Sequence, residues 1–218
     1  MTEDVKIEII EKTLRPVYGI RFSDEPTTPY NSKLGGMPYW PAGMDYPKEM
    51  LFLAQVNLEE LPDNREFPAK GILQFFIPDD EELGFYGEHK VIFHKDIKES
   101  VIVKPGQSEF TPIIKPGKIS FDKYMEPISY GDYRFPVKDH DYEDADFYGN
   151  GSKLLGYPDF TQYDPRESAE RYDTLLFQLD SDKEWMMWGD MGIANFFINK
   201  DDLAKGDFSD TLYHWDCC

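Results

Sequence analysis

Short, almost uninterrupted apolar runs of strand length recur along the chain and are separated by turn-forming residues. The clearest cover residues 51–56 (LFLAQV), 71–77 (GILQFFI), 175–179 (LLFQL) and 192–198 (GIANFFI). Runs of this length, rich in Leu, Ile and Phe, are typical of buried strands. The pattern therefore predicts an α+β fold in which strands dominate, with mainly antiparallel pairing.

Helical patterns are fewer and shorter. Residues 201–209 (DDLAKGDFS) predict one or two helical turns that end at Gly206, and 57–62 (NLEELP) predict a short helix stopped by Pro62. Residues 165–172 (PRESAERY) predict a helix with Pro165 near its start. Residues 5–14 (VKIEIIEKTL) fit a helix or a strand. Two K-P-G turns, at 104–106 and 115–117, predict a hairpin-like connection over 98–120, and 138–152 predict a loop.

Four segments occur twice in the same order. Their reference positions are Pro38/Pro158, Gln55/Gln178, Gly71/Gly192 and His94/His214, which are offset by 120, 123, 121 and 120 residues. Repeats at a nearly fixed spacing indicate a duplicated structural unit. We predict a single domain over residues 1–218 that contains two tandem repeats, about 16–97 and about 119–218. An ordered connection, 98–118, would join them, and the repeats would pack as one globule with a pseudo-two-fold axis.

The same segments carry a family resemblance. LGGMPYWP (34–41), FLAQVNL (52–58), GILQFF (71–76), QLDSD (178–182), MWGD (187–190) and YHWDC (213–217) together resemble the YwqG-like family of bacterial proteins. The resemblance extends over nearly the whole chain. It implies an α+β bacterial cytosolic protein without an established substrate, and it brings no catalytic residues. It also implies an immunity-like or interaction role.

The charge balance is strongly acidic, with 42 Asp and Glu against 23 Lys and Arg and a formal net charge of −19. Such a surface repels nucleic-acid phosphates and anionic lipid, so neither a nucleic-acid nor a membrane partner is predicted. It favours a basic protein partner or a cationic ligand. The alternative is that the acidity only maintains solubility.

Location and redox chemistry are constrained by two further features. No apolar run approaches the roughly 20 residues that span a bilayer, so a cytoplasmic location is predicted. The cysteines, Cys217 and Cys218, are adjacent, so the sequence offers no disulfide framework, and it leaves their role open.

Sequence motifs of known catalytic or metal sites are missing. The chain contains no G-x-S-x-G, G-x-x-x-x-G-K-[ST], H-E-x-x-H or G-x-G-x-x-G motif. Asp180-x-Asp182-x-Glu184 and the similar triplet at 139–143 begin like calcium loops but lack the glycine at the sixth position. We therefore predict no cofactor and no dedicated metal site, while adventitious binding of a divalent cation stays open.

Polar residues common to both repeats are predicted to be structural. They are Lys33/Lys153, Gln55/Gln178, His94/His214 and Asp96/Asp216. The alternative places them around a cleft in which His acts as acid or base and Asp orients it.

Segments that the repeats do not share are better candidates for binding. Residues 185–191 (WMMWGDM) and 39–47 (YWPAGMDYP) are rich in Trp, Met and Tyr, which are typical of contact surfaces. The candidate binding residues are Trp185, Trp188, Asp190, Asp180 and Trp40. The alternative is that these aromatic residues fill the core between the repeats.

The sequence thus favours a non-enzymatic module that binds a basic protein partner. The alternative is a cation-dependent enzyme of hydrolase type that uses acidic residues of the second repeat. Whether the protein is an enzyme stays open, although the missing motifs argue against it.

Overall fold

The computed structural model of the protein describes residues 1–85, 88–103, 108–137 and 144–217. Regular structure within these residues consists mainly of strands. In chain order the elements are α1 (Glu3–Thr13), β1 (Arg15–Ser23), β2 (Lys33–Leu34), β3 (Met50–Asn57), β4 (Ile72–Pro78), β5 (Lys90–His94), β6 (Gly117–Glu126), β7 (Lys153–Leu155), β8 (Thr174–Asp180), β9 (Ile193–Ile198), α2 (Lys200–Lys205) and β10 (Thr211–Asp216). Short 3₁₀ turns cover Leu58–Glu60, Ala145–Phe147 and Pro165–Ser168.

These strands form one antiparallel sheet in the order β10-β9-β8-β7-β1-β6-β2-β3-β4-β5. The sheet curves until it nearly closes on itself. Side chains of the edge strand β10 reach the loop before β5, which is the strand at the other edge. The Tyr213 hydroxyl donates to the Leu83 carbonyl and the Trp215 indole N–H donates to the Glu82 carbonyl, both at 2.9 Å. The predicted strand-dominated, antiparallel architecture is confirmed.

Strands β3, β4, β8 and β9 are the four apolar runs of the sequence, and nearly all of their residues are buried. They are covered on both faces, which explains why they read as continuous apolar runs instead of alternating ones. The pairing of β3 with β4 shifts register between Phe52 and Ala54, and that of β8 with β9 shifts between Leu175 and Phe177. Such bulges increase the local twist, which favours a curved sheet.

The middle of the sheet is the long pair β1 and β6, which the sequence did not predict. They pair over nine residues, from Arg15 opposite Glu126 to Ser23 opposite Lys118. Gly19 lies in β1 beneath the ring of Tyr124, where a Cβ atom would come within 2.7 Å of the tyrosine. An aromatic ring packed over a strand glycine compensates for its missing side chain.

One core joins strands from both ends of the chain. The ring of Phe75 in β4 lies 4.3 Å from that of Phe177 in β8 and 5.0 Å from that of Phe196 in β9. A second, smaller cluster, which includes Ile9 and Tyr157, lies beneath α1. No helix in the described part of the chain has the length and apolarity to cross a membrane.

The short elements match their predictions unevenly. Helix α2 ends at Gly206 in the left-handed region, with φ of 68°, as predicted. Residues 5–14 belong mostly to helix α1, whereas 57–62 and 165–172 each contain only a 3₁₀ turn.

The hairpin predicted for 98–120 is wrong in its described part. Isolated bridges, Pro41 with Ser100 and Ile113 with Met186, replace it, and Gly117 already begins β6. Residues 104–107 and 138–143, which hold one K-P-G turn and part of the predicted loop, lie outside the described residues.

Candidate functional site

A cavity of about 200 Å³ opens beside the end of β10, and we call it the His214 cleft. Its lining combines carboxylates, aromatic rings and an imidazole: Glu82, Phe85, Gln162, Tyr163, His214, Trp215, Asp216 and Cys217. Alternation along β10 places His214 and Asp216 on the same face of the strand. The loop at 160–163 and the loop before β5 supply the other walls.

Asp216 is a buried carboxylate that holds the neighbouring loop. It accepts hydrogen bonds from the Thr161 N–H and hydroxyl, both at 3.0 Å, and from the Gln162 N–H at 2.9 Å. Burial by itself would raise the pKa of Asp216, but the His214 imidazole and these donors outweigh it, so its pKa lies below the usual value. Asp216 is therefore ionised at neutral pH. Within the described residues no Lys or Arg pairs with it.

His214 is 7% exposed and its Nε2 atom has no hydrogen-bond partner in the described structure. Nε2 lies 3.8 Å from Asp216 Oδ2, which is beyond hydrogen-bond distance. Asn195, which lies opposite His214 in β9, also has a buried oxygen, Oδ1, without a described partner. Buried polar atoms are normally paired, so two unpaired ones on adjacent strands mark this region as unusual.

Aromatic rings surround the His214 imidazole. The ring of Tyr163 lies 5.3 Å from it and that of Phe85 lies 5.8 Å from it, centroid to centroid. Phe85 also meets Trp215 edge-on at 6.4 Å. Tyr163 is 56% exposed and Phe85 is 40% exposed, so both rings border solvent at the mouth of the cleft. The cleft therefore combines aromatic rings at its mouth with the buried Asp216 carboxylate.

His94, the sequence counterpart of His214, has a different environment. Its Nε2 lies 2.8 Å from Gln74 Oε1, and the Gln74 amide in turn donates to the Tyr39 carbonyl at 2.8 Å. Since an amide oxygen only accepts, His94 Nε2 carries the proton. Burial lowers the pKa of His94 to about 4. This histidine is neutral, buried and hydrogen-bonded through Nε2.

The aspartates of the two His-x-Asp pairs differ as well. Asp96 is exposed, and the nearest described cation, Lys70 Nζ, lies 4.0 Å away. Asp216 is 5% exposed and holds a loop. The direct contact envisaged between His94 and Asp96 is therefore not formed.

The paired glutamines make equivalent contacts. Gln55 accepts from the Tyr39 N–H at 2.8 Å and donates to two carbonyls of the preceding loop at 2.7 and 2.8 Å. Gln178 accepts from the Asp159 N–H at 2.8 Å and also donates to two carbonyls of its preceding loop, both at 2.8 Å. Each side-chain amide therefore provides hydrogen-bond partners for backbone groups of neighbouring loops, which do not pair with a strand there.

The paired lysines are buried but differently satisfied. Lys33 Nζ donates to the carbonyls of Thr28 and Met37, and burial lowers its pKa to about 8. Lys153 Nζ instead forms an ion pair with Glu126, at 2.8 and 3.0 Å to its two oxygens. Neither amine faces one of the described cavities.

Tryptophans predicted to bind a partner lie in the interior. Trp40 and Trp188 are 1% and 0% exposed, and the Trp40 indole donates to the Met44 carbonyl at 2.8 Å. Their rings are packed in the core, so they offer no surface to a partner in this conformation. This burial favours the core-filling alternative, and binding of a partner through these residues stays a prediction. Asp190, by contrast, lies exposed on the surface.

Trp185 is buried and already carries a cation. Lys115 Nζ lies 4.0 Å from the centroid of its ring and pairs with Asp24 and Glu184 at 2.9 and 2.8 Å. An indole and two carboxylates therefore surround a cation at this point, and that cation is a lysine of the same chain.

Asp180 lies in a separate cavity of about 380 Å³, together with Arg21, Ser152, Asp182 and Trp185. Its carboxylate accepts the Gly151 N–H at 2.7 Å. Burial raises the pKa of Asp180, although the N–H groups of Gly151 and Ser181 act in the opposite direction.

In the described residues no three His, Cys, Asp or Glu side chains are grouped so that they could hold a metal ion. The triplet at 139–143 and Cys218 lie outside that part of the chain.

The segment 185–191 packs against two residues that line the cleft, Trp215 and Cys217. The Trp188 ring lies 6.2 Å from that of Trp215, which lines the cleft. Gly189, with φ of 51°, passes so close to Cys217 that a Cβ atom would lie 2.6 Å from its Sγ. A glycine is required there because any side chain would be strained and would collide with the thiol.

Comparison with known sequences places the chain in a family. Residues 32–217 match the family described as "Domain of unknown function (DUF1963)". The chain belongs to this family. The match includes every strand except β1 and therefore all of β10 and the loops of the His214 cleft. No curated protein matches the chain.

Sequence reasoning singled out His214 and Asp216 but missed Tyr163, Phe85 and Asn195. Asn195 stands where the similar segment GILQFFI has Gln74 (GIANFFI against GILQFFI), and that difference was a readable signal. Tyr163 and Phe85 reach the cleft from loops whose course the sequence does not reveal.

Proposed function

We propose that the protein is a non-enzymatic binding module that takes a lysine or arginine side chain of a basic partner protein into the His214 cleft. The observation that carries this is Asp216: a buried, ionised carboxylate held by neutral donors, with no Lys or Arg paired to it among the described residues. A buried charge is most stable when an opposite charge reaches it. A cation from outside would supply that charge.

Aromatic walls favour the same ligand. The rings of Tyr163 and Phe85 line the cleft beside His214, and aromatic rings attract ammonium and guanidinium groups through their faces. The aliphatic stem of a long basic side chain packs on such rings while its charged end goes deeper. His214 Nε2, when unprotonated, accepts a hydrogen bond from the incoming group.

The size of the cleft favours one side chain over a whole small molecule. Its volume of about 200 Å³ is below the roughly 300–1,000 Å³ that is usual for small-molecule sites. The net charge of −19 would steer a basic protein toward the surface and make binding sensitive to salt. Such binding fits an immunity-like role toward a basic partner.

Peptide binding tests the proposal. The probe is a Gly/Ser peptide whose only charged side chain is a central lysine, compared with the same peptide carrying acetyl-lysine. Binding is followed by the NMR shift of the Trp215 indole N–H. We expect the lysine peptide to bind and the acetylated one not to. Glu82→Gln, which removes a carboxylate of the cleft, should weaken binding about threefold, whereas Glu81→Gln, outside the lining, should not. Equal binding of both peptides would refute the proposal.

A pull-down from cell lysate extends the test to the natural partner. Wild-type protein should recover a basic protein at low salt and release it at high salt, and Tyr163→Ala should not recover it. Recovery of nothing at low salt, or equal recovery by Tyr163→Ala, would count against the module.

A cation-dependent hydrolase is the second candidate function, and the Asp180 cavity favours it. Asp180 is a carboxyl group with a raised pKa beside Ser152 and Asp182, as a general acid would require. Elemental analysis of the purified protein separates the candidates, because a stoichiometric metal that Asp180→Asn removes would favour the enzyme.

Finer points of the architecture belong to the same proposal. We infer that residues 1–218 form one domain made of two tandem repeats, related by a pseudo-two-fold axis between β1 and β6. The strand order is compatible with this, since β2-β3-β4-β5 continue from one side of that pair and β7-β8-β9-β10 from the other. The equivalent contacts of Gln55 and Gln178 support it further. A YwqG-like, bacterial and cytoplasmic assignment is proposed on the sequence resemblance.

A further inference from the structure

A long groove lies on another face of the molecule, between the loop at 65–68 and helix α2. Two cavities, of about 540 and 400 Å³, share Glu66, Lys200 and Leu203 in their lining and so adjoin each other. Their size falls in the range of small-molecule sites. We call the pair the cationic groove.

The charges of this groove are opposite to those of the protein as a whole. Its cationic lining residues are Arg15, Arg65, Arg134, Lys200 and Lys205, and its carboxylates are Glu66 and Asp173. In a chain with almost twice as many acidic as basic residues, such a concentration of cations is exceptional.

Both carboxylates of the groove are already engaged. Glu66 pairs with Lys123 at 2.9 Å and accepts the hydroxyl of Tyr18. Asp173 accepts hydrogen bonds from the backbone N–H of Lys200 and from the Thr174 hydroxyl, both at 2.9 Å. The charge of Glu66 is therefore compensated by a cation, and Asp173 Oδ1 is occupied by two donors.

Three of the cations, by contrast, have no anionic partner among the residues that the structure describes. The side chains of Arg15, Arg65 and Lys200 form no ion pair in the described part of the chain. The guanidinium of Arg15 lies 4.5 Å from the centroid of the Tyr157 ring, which holds it in place. Arg134, which Asp132 fixes, lies 5.9 Å from the same centroid. The Tyr157 ring thus lies close to both guanidinium groups, and both arginines line the same cavity.

From this arrangement we infer that the cationic groove binds a small soluble molecule that carries phosphate groups. Guanidinium forks match phosphate oxygens, and several cations along one groove suit a polyphosphate better than a single carboxylate. Leu155 and Leu203 give apolar surface for the remainder of the molecule. A nucleic acid is a poorer fit because a long polyanion would meet the acidic surface beyond the groove, whereas a small anion within about one Debye length meets mainly the local cations.

Calorimetric titration of the full chain with inorganic pyrophosphate tests the inference. We expect saturable binding at one site, weaker binding of inorganic phosphate, and about tenfold lower affinity for pyrophosphate in Arg15→Gln and in Lys200→Gln. Lys183→Gln is the matched control, because it removes an exposed lysine outside the groove. Lys200→Gln alone suffices if Arg15→Gln fails to fold, since the Lys200 side chain has no described ion pair.

Three outcomes would overturn the inference. They are the absence of saturable pyrophosphate binding, an equal loss of affinity in Lys183→Gln, and sedimentation with phosphatidylglycerol vesicles without binding of soluble pyrophosphate. The last result would assign the groove to a lipid surface. These variants leave the His214 cleft unchanged, so the lysine-peptide assay distinguishes failure of this inference from failure of the proposed function.

Discussion

His214 Nε2 lies 3.8 Å from Asp216 Oδ2, close enough for the two groups to interact electrostatically but too far for a hydrogen bond. The carboxylate is satisfied by loop donors, while the imidazole nitrogen has no described partner. The two residues therefore have separate roles. Asp216 holds the loop at 161–163 and supplies the negative charge of the cleft, and His214 forms its floor.

The first prediction concerns this aspartate. Asp216→Asn removes the charge and one of the two acceptor oxygens that hold the loop, so the free energy of unfolding should fall by about 2 kcal/mol. Urea denaturation measures it. Asp96→Asn, at the counterpart position, should change stability by less than about 0.5 kcal/mol because Asp96 is exposed. Similar effects of the two variants would contradict the structural difference between them.

The second prediction concerns pH and His94. Its pKa is lowered from 6.5 to about 4 in the folded protein, so between these values the unfolded chain binds the extra proton. Stability should consequently fall as pH decreases from about 6.5 to 4, by up to about 3 kcal/mol. His89, whose pKa burial also lowers, acts in the same direction. Asp216, with its lowered pKa, loses its contribution only below its ordinary value near 3.8.

His94→Gln isolates the contribution of His94. Glutamine keeps a donor toward Gln74 Oε1 but does not titrate. Denaturation curves of this variant, measured from pH 7 to 4, should therefore show a clearly shallower decline than those of the wild-type protein. An unchanged pH dependence would show that His94 is not the buried neutral group that its surroundings indicate.

The sequence predicted the fold where local pattern decides structure. The four buried strands β3, β4, β8 and β9 were recognisable because each is a continuous apolar run. The central pair was missed for two physical reasons. β1 contains Pro16 and Gly19, which are depleted in strands, and the alternation of β6 follows directly on a K-P-G turn that suggested a hairpin.

The sequence singled out His214 and Asp216 of the cleft but neither their different roles nor the residues around them. The recurring sequence segments identified both histidines, yet their environments differ because the strand registers differ. His94 lies opposite Ile72, whereas His214 lies opposite Asn195. A change of register is not visible in a sequence, since each strand carries a similar pattern. The burial of Trp40 and Trp188 was equally hidden, because a tryptophan that fills a core resembles one that binds a partner.

The third prediction concerns the buried ion pair of Lys153 and Glu126. Glu126→Gln leaves the ammonium group of Lys153 buried without a counter-charge, so it should destabilise the protein by about 3 kcal/mol. The double variant Glu126→Gln, Lys153→Met removes both charges and should be more stable than Glu126→Gln alone. A thermodynamic cycle from urea denaturation measures this coupling. Additive effects would mean that the two groups do not interact.

The last prediction concerns the dependence of one half of the chain on the other. A fragment of residues 1–116 contains β1 to β5 but lacks β6, which lies between β1 and β2 in the sheet. It also exposes Phe75, whose ring packs on Phe177 of the second half. We expect this fragment to be poorly soluble or insoluble when expressed alone, because a large apolar surface would be uncovered.

Co-expression with residues 117–218 should return both pieces to the soluble fraction. A control fragment, 1–127, restores β6 and so separates the two causes: it should remain poorly soluble if the shared core is decisive and become soluble if only the missing strand matters. A soluble, monomeric 1–116 fragment with cooperative unfolding would show that the halves fold independently.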